Sequence, residues 1–457
     1  MSILEGEYNP LNEWMDAEAR VESAHLHFEQ GRWPEAAAEL RAAIDINPEN
    51  AAWHYNLGLT LEAMDDFVLA ADALQRAIDL EPEDIEILNS LGVNLTRQGL
   101  YAESLAIFGR IEKLDPAYEP SYCNRIVTYT EMAQHDKAEL MFYLARQAKD
   151  ECALCYYNIG NSLYSRHEYD RAIDCWKQTL RLESDHRHAN ARIAEAMWAK
   201  GDLTGAREFY EAELQCDVED VDTLLDYGEM LMDLGQLDEA RQKFVAALKI
   251  DPDDASALFC LGELAISKKA YSAAERHFRR VIQIDKSYPL AHARLARVLL
   301  KNERVQEAAK HLLYEIKHAG KDVETMHELG SLLLEANLIR QANSILKQLV
   351  ELAPGDAHAR HNLAVSFFRL NKSQEGIKHC RKALKLQPDY VLAFYNLALA
   401  HMRIGELDRA RRYVAKAYML DPNDESIRGL SKRIDGHRRG FWSKLVSKVR
   451  SIVRTQQ

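Results

Sequence analysis

The sequence predicts an all-α protein built from stacked helical hairpins, and three observations lead to that prediction. From Ala17 to Asp424 the chain divides into twelve repeats of 34 residues without an insertion or deletion. Two positions of the repeat hold small residues along almost the whole array. Apolar residues recur within each repeat at the spacing of two amphipathic helices. Because one hairpin cannot bury its own apolar faces, neighbouring repeats must stack on one another.

Each repeat contains the signals of two helices and the turn between them. In residues 51–84, Leu57 and Leu61 belong to the first predicted helix, and Ala70 and Leu74 to the second. Seven repeats carry a proline at the same place, where it ends the second helix. These prolines are Pro48, Pro82, Pro116, Pro252, Pro354, Pro388 and Pro422.

Small residues occupy the eighth and twentieth positions of the repeat. The eighth position is Gly or Ala in every repeat except the fourth, which has Ile126. The twentieth position is Ala except at Ser104 and Gly376. Such short side chains predict a close approach of the two helices of a hairpin.

The sequence predicts four segments along the chain. They are an acidic lead-in at 1–16, the repeats at 17–424, a capping helix at 425–436 and a basic amphipathic helix at 437–457. Asn9 and Pro10 predict the cap and first turn of the opening helix.

The composition of the chain bears on whether the protein spans a membrane, is secreted or is cytoplasmic. Hydrophobic residues make up 47% of the chain and charged residues 28%, with a formal net charge of −13. No apolar run is long enough for a transmembrane helix, and the first residues lack the pattern of a secretory signal. Seven cysteines without framework spacing favour a reducing compartment. We therefore expect a cytoplasmic protein.

The repeats, with motifs such as YNLG at 55–58 and YNLA at 395–398, resemble the tetratricopeptide repeat (TPR) family over about nine-tenths of the chain. The resemblance implies a right-handed α-solenoid superhelix whose first helices line a concave groove and whose second helices face outward. It also implies a binding surface and no catalytic pocket. The array is similar to the repeat half of the O-linked N-acetylglucosamine transferases, but nothing resembling their catalytic half follows.

The resemblance places the sixth residue of each first helix in the groove. Five repeats have asparagine there: Asn56, Asn124, Asn158, Asn362 and Asn396. An amide both donates and accepts, so this asparagine ladder predicts contacts with the backbone of a bound peptide. The alternative is that asparagine is simply tolerated at a polar groove position.

Charged side chains interrupt the ladder in the middle repeats. The acidic groove residues are Asp222, Asp226, Glu229, Asp233, Glu195 and Glu263. The basic groove residues are Arg294, Arg297 and Lys301. We interpret them as an acidic middle and an adjoining basic stripe, suited to a peptide of complementary charge. A solvated helix face is the alternative.

Charge also differs between the two ends of the chain. Residues 1–254 contain 22 Lys and Arg against 51 Asp and Glu, a net charge of −29; residues 255–457 have a net charge of +16. This asymmetry favours steering of partners or head-to-tail self-association. Random drift of surface charge is the alternative.

Motifs for catalysis or metal binding are weak. Cys152 and Cys155 form a CxxC pair, with Cys123 and Cys175 in adjoining helices. A zinc finger needs a second ordered pair, so we expect packing cysteines and no metal. No phosphate-binding loop, dinucleotide fingerprint, nucleophile elbow or zinc-protease motif occurs. We expect no catalytic residue and no cofactor.

The C-terminal segment predicts an amphipathic helix from Phe441 to Arg454. Its apolar face contains Phe441, Trp442, Leu445, Val446, Val449, Ile452 and Val453. Six Lys and Arg and no acid follow from His437 onward, a pattern typical of a helix on an anionic membrane. Docking in a protein groove, including the chain's own acidic groove, and an extra cap on the last repeat are alternatives.

The sequence thus predicts a non-enzymatic scaffold that binds an extended protein segment in its groove, with no nucleic-acid partner. The tail adds the hypothesis of peripheral contact with the cytoplasmic face of a membrane. A targeting subunit for a separate modifying enzyme and a self-assembling structural protein are the alternative functions.

Overall fold

The computed structural model describes residues 10–148, 151–318, 320 and 322–436, and these residues form helices without a strand. The helices alternate as the first and second helix of each of the twelve repeats. The first helices are α1 Pro10–Glu29, α3 Ala51–Ala63, α5 Ile85–Arg97, α7 Glu119–Glu131, α9 Ala153–Ser165, α11 Ala189–Ala199, α13 Val221–Asp233, α15 Ala255–Ser267, α17 Ala291–Lys301, α19 Val323–Glu335, α21 Ala357–Arg369 and α23 Val391–Arg403.

The second helices are α2 Trp33–Ile46, α4 Phe67–Leu80, α6 Tyr101–Leu114, α8 His135–Ala148, α10 Tyr169–Leu182, α12 Leu203–Cys216, α14 Leu237–Ile250, α16 Tyr271–Ile284, α18 Val305–His318, α20 Ile339–Leu352, α22 Ser373–Leu386 and α24 Leu407–Leu420. A further helix, α25, spans 425–436. The prediction of an all-α array of helical hairpins is confirmed.

A left-handed residue reverses the chain inside every repeat. The fifteenth position has a positive φ in all twelve repeats, although only five of these residues are glycine. At Gly99, the Gly99 N–H donates to Thr96 O at 3.0 Å and the Leu100 N–H to Leu95 O at 2.9 Å, the bond pattern of a Schellman cap. Asp65 adopts φ 59° in the corresponding turn. The turn therefore depends on helix-end hydrogen bonds rather than on glycine alone.

The small residue at the eighth position faces a large side chain of the second helix. A Cβ added at Gly160 would lie 2.5 Å from Trp176 Nε1, and one added at Gly92 would lie 2.6 Å from Phe108 Cε1. Trp176 and Phe108 are fully buried. The close approach expected from the sequence thus occurs, and the side chain at the twenty-fourth position fills the space that the missing Cβ leaves.

The chain divides into two compact parts, an N-terminal half at 1–230 and a C-terminal half at 231–457, with the division inside α13. In the C-terminal half, α25 buries Ile427, Leu430 and Ile434 against a cluster that includes Phe394 and Val414. This contact covers the apolar end of the last repeat. In the described part of the chain, no helix combines the length and apolar character that membrane crossing requires.

We predict different stability effects for two glycine-to-alanine changes. Gly160→Ala forces a methyl group against Trp176, whose Nε1 donates to Tyr157 O and Asn161 Oδ1, both at 3.2 Å. Overpacking costs about 1–3 kcal/mol and exceeds the gain of about 1 kcal/mol in helix propensity. Gly109→Ala is the control, because the added Cβ meets no atom within 4 Å.

The measurement is the urea midpoint of the full chain, followed by circular dichroism. Gly160→Ala should lower the midpoint and Gly109→Ala should leave it unchanged or raise it. Equal effects of the two changes would contradict the role assigned to the close approach.

Candidate functional site

Consecutive first helices of the N-terminal half line an acidic depression. Two adjoining hollows of about 330 and 360 Å³ share Arg192 and Glu195 of α11 and Asp226 of α13. Tyr164 of α9 borders one hollow and Asp222 of α13 the other. We call these five residues the acidic pocket.

Helical spacing brings the side chains of the acidic pocket to one surface. Arg192 and Glu195 are one turn apart and form an ion pair at 2.8 Å. Asp222 and Asp226 are also one turn apart, on the neighbouring first helix, where side chains at i and i+4 share a face. One arginine therefore lies among three pocket carboxylates, and negative charge remains in excess.

The excess charge is strongest at Asp226. Burial, followed by the negative charges of Glu195, Glu229 and Asp222, raises the pKa of Asp226 to about 7, although Arg192 opposes the shift. Asp222 and Glu229 are exposed on the same helix. A positively charged group placed in the acidic pocket would stabilise the ionised form of Asp226.

A buried phenol lies beside this negative charge. Tyr210 of α12 is fully buried and stacks on Tyr227, with ring centroids 5.4 Å apart. Its hydroxyl has no hydrogen-bond partner among the described residues. Burial, with the negative charges of Asp226 and Glu195, raises the pKa of Tyr210. The phenol therefore stays protonated at neutral pH and cannot neutralise the pocket.

The predicted basic stripe is already neutralised in the C-terminal half. Arg294 contacts Glu263 at 2.9 Å and also pairs with Glu328. Arg297 contacts Glu328 at 2.6 Å, and Lys301 contacts Glu335 at 3.5 Å. The stripe thus differs from the expected row of unbalanced cations, because carboxylates of α15 and α19 reach it across the stack.

Glu263 consequently differs from the other predicted acidic residues. The sequence places it in the acidic middle of the groove, whereas its carboxylate pairs with Arg294. Burial raises the pKa of Glu263, while Arg294 and Arg297 oppose that shift. Asp233, at the end of α13, is exposed. Of the two charged features, only the acidic pocket keeps an excess of one sign.

The asparagine ladder connects neighbouring first helices. In all five asparagines, the amide nitrogen hydrogen-bonds to the first helix of the preceding repeat. The pairs are Asn56 with His25 at 3.3 Å, Asn124 with Asn89 at 2.9 Å, Asn158 with Cys123 O at 3.3 Å, Asn362 with Ser331 at 3.3 Å, and Asn396 with His361 at 2.7 Å. One N–H of each amide therefore serves repeat stacking, and contact with a ligand would use the carbonyl oxygen or the second N–H.

In the last pair, the neutral state of the histidine supports the hydrogen bond. Burial lowers the pKa of His361 to about 4, so its imidazole is neutral at pH 7. A neutral ring nitrogen can accept the hydrogen bond of the Asn396 amide. Sequence alone could not show this use of the ladder, because the partners lie 31 to 35 residues away.

Three of the four cysteines noted in the sequence meet at one point. A disulfide joins Cys123 and Cys155, with Cα atoms 5.1 Å apart. Cys152 Sγ lies 3.5 Å from Cys123 Sγ, and Glu119 Oε1 lies within 3.1 Å of all three sulfurs. The sequence interpretation missed this cluster, because one cysteine and the carboxylate belong to α7 and the CxxC pair to the start of α9. Cys175 is outside it.

The predicted tail residues from Phe441 to Val453 lie outside the described part of the chain. Their contact with a membrane, with a partner or with the array itself stays a prediction.

Comparison with known families identifies repeats of one type along the chain. The model described as "Tetratricopeptide repeat" matches residues 61–119, 157–218, 327–391 and 362–425. A second model, "TPR repeat", matches residues 24–65. A third, the middle TPR-like domain of cilia and flagella-associated protein 70, matches residues 190–328.

Individual proteins are similar to shorter regions of this chain. The peroxisomal targeting signal receptor of Yarrowia lipolytica is 29% identical over 167 residues, which cover 34% of this chain and 27% of the receptor. Peroxisome biogenesis protein 5 of Arabidopsis thaliana is 28% identical over 170 residues, covering 36% of this chain and 22% of that protein. The matched region is thus about a quarter of each relative.

The APC/C hetero-tetramer Cut9–Hcn1 aligns with a TM-score of 0.44 and 13% identity, over 92% of this chain and 96% of that chain.

We predict that Asp226 makes stability depend on pH. The folded-state pKa, about 7, exceeds the ordinary value of 3.8, so the folded chain binds this proton more tightly than the unfolded chain. Wild-type stability should therefore fall as pH rises from about 4 to about 7. Asp226→Asn removes the repelled charge and should stabilise the protein at pH 8 by about 1 kcal/mol, after allowance for solvent screening.

The measurement is thermal unfolding of wild type and Asp226→Asn at pH 5 and pH 8. The advantage of the variant should be clear at pH 8 and small at pH 5. Asp72→Asn, the same change on an exposed residue of α4, controls for net charge. An advantage that is independent of pH would contradict the interpretation of the acidic pocket.

Proposed function

The chain belongs to the tetratricopeptide repeat family, and from that premise we propose that it is a non-enzymatic scaffold that binds an extended segment of another protein. The segment lies across the first helices of the N-terminal half and places a lysine or arginine side chain in the acidic pocket. The asparagine carbonyl oxygens offer acceptors for its backbone N–H groups.

The observation that carries this proposal is the unbalanced charge around Asp226. Three pocket carboxylates surround a single arginine, and their repulsion, added to burial, raises the pKa of Asp226 to about 7. A bound ammonium or guanidinium group replaces this repulsion with attraction. The basic stripe offers no equivalent for an acidic segment, because Glu263, Glu328 and Glu335 already pair with its cations.

The relatives support binding of a protein segment in a general way. The match in Yarrowia lipolytica is named as a receptor for a targeting signal, and its similarity to this chain lies within a limited region. Membership of the family supports a protein as the class of partner but does not identify that protein.

We predict that neutralising the acidic pocket weakens capture of the partner. The pocket variant combines Glu195→Gln, Asp222→Asn and Asp226→Asn. The matched control combines Asp72→Asn, Glu103→Gln and Asp174→Asn, three exposed residues of the second helices α4, α6 and α10. Both variants change the net charge equally, so long-range steering changes by a similar amount.

The measurement is a quantitative pull-down from the native source at physiological and high salt. A partner that wild type and control retain should bind the pocket variant at least about tenfold more weakly, the loss expected for about 1.4 kcal/mol. Equal weakening by both triple variants would mean that net charge, not the pocket, determines binding. Circular dichroism checks that each variant is folded.

A further inference from the structure

The cysteine cluster of the N-terminal half has the donor set of a metal site. The side-chain ligand atoms of Glu119, Cys123, Cys152 and Cys155 all lie within 4.8 Å of one another. Glu119 Oε1 is 2.7 Å from Cys123 Sγ, 2.7 Å from Cys152 Sγ and 3.1 Å from Cys155 Sγ. The three cysteines are buried, with exposures of 8% or less.

We propose that, in the reduced chain, these four side chains bind a single Zn²⁺ ion between α7 and the start of α9. Zinc in structural sites takes four ligands in a tetrahedron, with thiolate sulfur at about 2.3 Å and carboxylate oxygen at about 2.0–2.2 Å. Two ligands at such lengths are about 3.5–4 Å apart by tetrahedral geometry. The 3.5 Å separation of Cys123 Sγ and Cys152 Sγ agrees with that value. The separations of 2.7–3.1 Å between Glu119 Oε1 and the three sulfurs are shorter, so zinc binding requires the Glu119 carboxylate to move outward by less than about 1 Å.

The backbone around Cys152 favours a thiolate. Cys152 is the N-cap of α9, and its sulfur accepts the backbone N–H of Cys155 at 3.2 Å. The partial positive charge at a helix N-terminus stabilises a negatively charged ligand atom placed there. Hydrogen bonds to ligand atoms also orient the ligands of a metal site. The Asn158 amide, bonded to Cys123 O at 3.3 Å, connects the two helices that supply the ligands.

The disulfide alone does not explain the position of Glu119. A disulfide between Cys123 and Cys155 leaves a proton only on Cys152, which can donate to Glu119 Oε1. The sulfurs of Cys123 and Cys155 then offer this oxygen no hydrogen, although they lie 2.7 and 3.1 Å from it. A cation at the centre accounts for all four converging groups, because it attracts each of them.

Disulfide and zinc are mutually exclusive states of this site, since a metal ligand must be a thiolate. In a reducing compartment, a cluster of this type is expected to bind metal rather than to form a disulfide. The proposal therefore concerns the reduced chain.

The fourth repeat, which supplies most of the ligands, has an atypical sequence. It alone has a large residue, Ile126, at the eighth position, and Asp150 replaces the proline found in seven other repeats. Three ligands come from this repeat and Cys155 comes from the next one. A metal ion would join α7 to α9 in the repeat that departs from the consensus at these two positions.

Metal binding can be tested on the full-length chain, reduced anaerobically with a phosphine. After loading with Zn²⁺ and dialysis, elemental analysis should find one zinc ion per chain. Loading with Co²⁺ should give the sulfur-to-metal charge-transfer band and the intense visible bands of a tetrahedral thiolate site. Removal of zinc by a chelator should lower the thermal midpoint of the reduced protein.

Two substitutions test the ligands, with a matched control. Cys152→Ser should abolish stoichiometric zinc. Glu119→Gln leaves the three thiolates and should weaken zinc binding at least as much as loss of an outer-shell partner, roughly 10–100-fold, while changing the Co²⁺ visible bands. Cys380→Ser, a buried cysteine outside the cluster, should leave zinc content and spectrum unchanged.

Substoichiometric zinc in the reduced wild type would overturn the proposal. So would a Co²⁺ complex without thiolate charge transfer, or wild-type zinc affinity in either Cys152→Ser or Glu119→Gln. Glu119→Gln keeps every cysteine, so a folded variant with unchanged affinity excludes Glu119 as a ligand and contradicts the site as stated.

Discussion

The close approach of the two helices inside each hairpin is the constraint on which the rest of the structure depends. Where the eighth residue is glycine, as at Gly160 and Gly92, the missing Cβ lets the ring of Trp176 or Phe108 lie directly against the first helix. These rings are buried between the helices. In the repeats that have glycine at this position, the contact sets the position of the first helix relative to the second helix.

That geometry determines which residues can act together at the surface. Neighbouring first helices lie close enough for Asn124 to reach Asn89 and for Arg297 to reach Glu328. A charge on one first helix therefore acts on the next. In the C-terminal half this neutralises the basic stripe, whereas in the N-terminal half the carboxylates near Asp226 outnumber the single arginine of the pocket. The binding surface we propose is the place where stacking leaves charge unbalanced.

The period of the sequence was sufficient to predict the helices, because small residues and prolines recur in register. The period does not predict which side chains of neighbouring repeats contact each other. The positive φ of Asp65 has no sequence signal, since helix-end hydrogen bonds impose it without glycine. The pairing of Arg294 with Glu263 and the meeting of Glu119 with Cys152 involve residues about one repeat apart. Helical periodicity places a residue on a face but does not identify its neighbour across the stack.

The most direct test of partner binding at the acidic pocket is site-specific photo-crosslinking in the native source. A photoreactive residue would replace Ala199, which lines the acidic pocket, or Tyr143, which is exposed on the second helix α8. Binding in the acidic pocket predicts a crosslink to the same partner from position 199 and none from position 143. A partner captured from position 143 and never from position 199 would contradict it, because binding would then occur on the second helices.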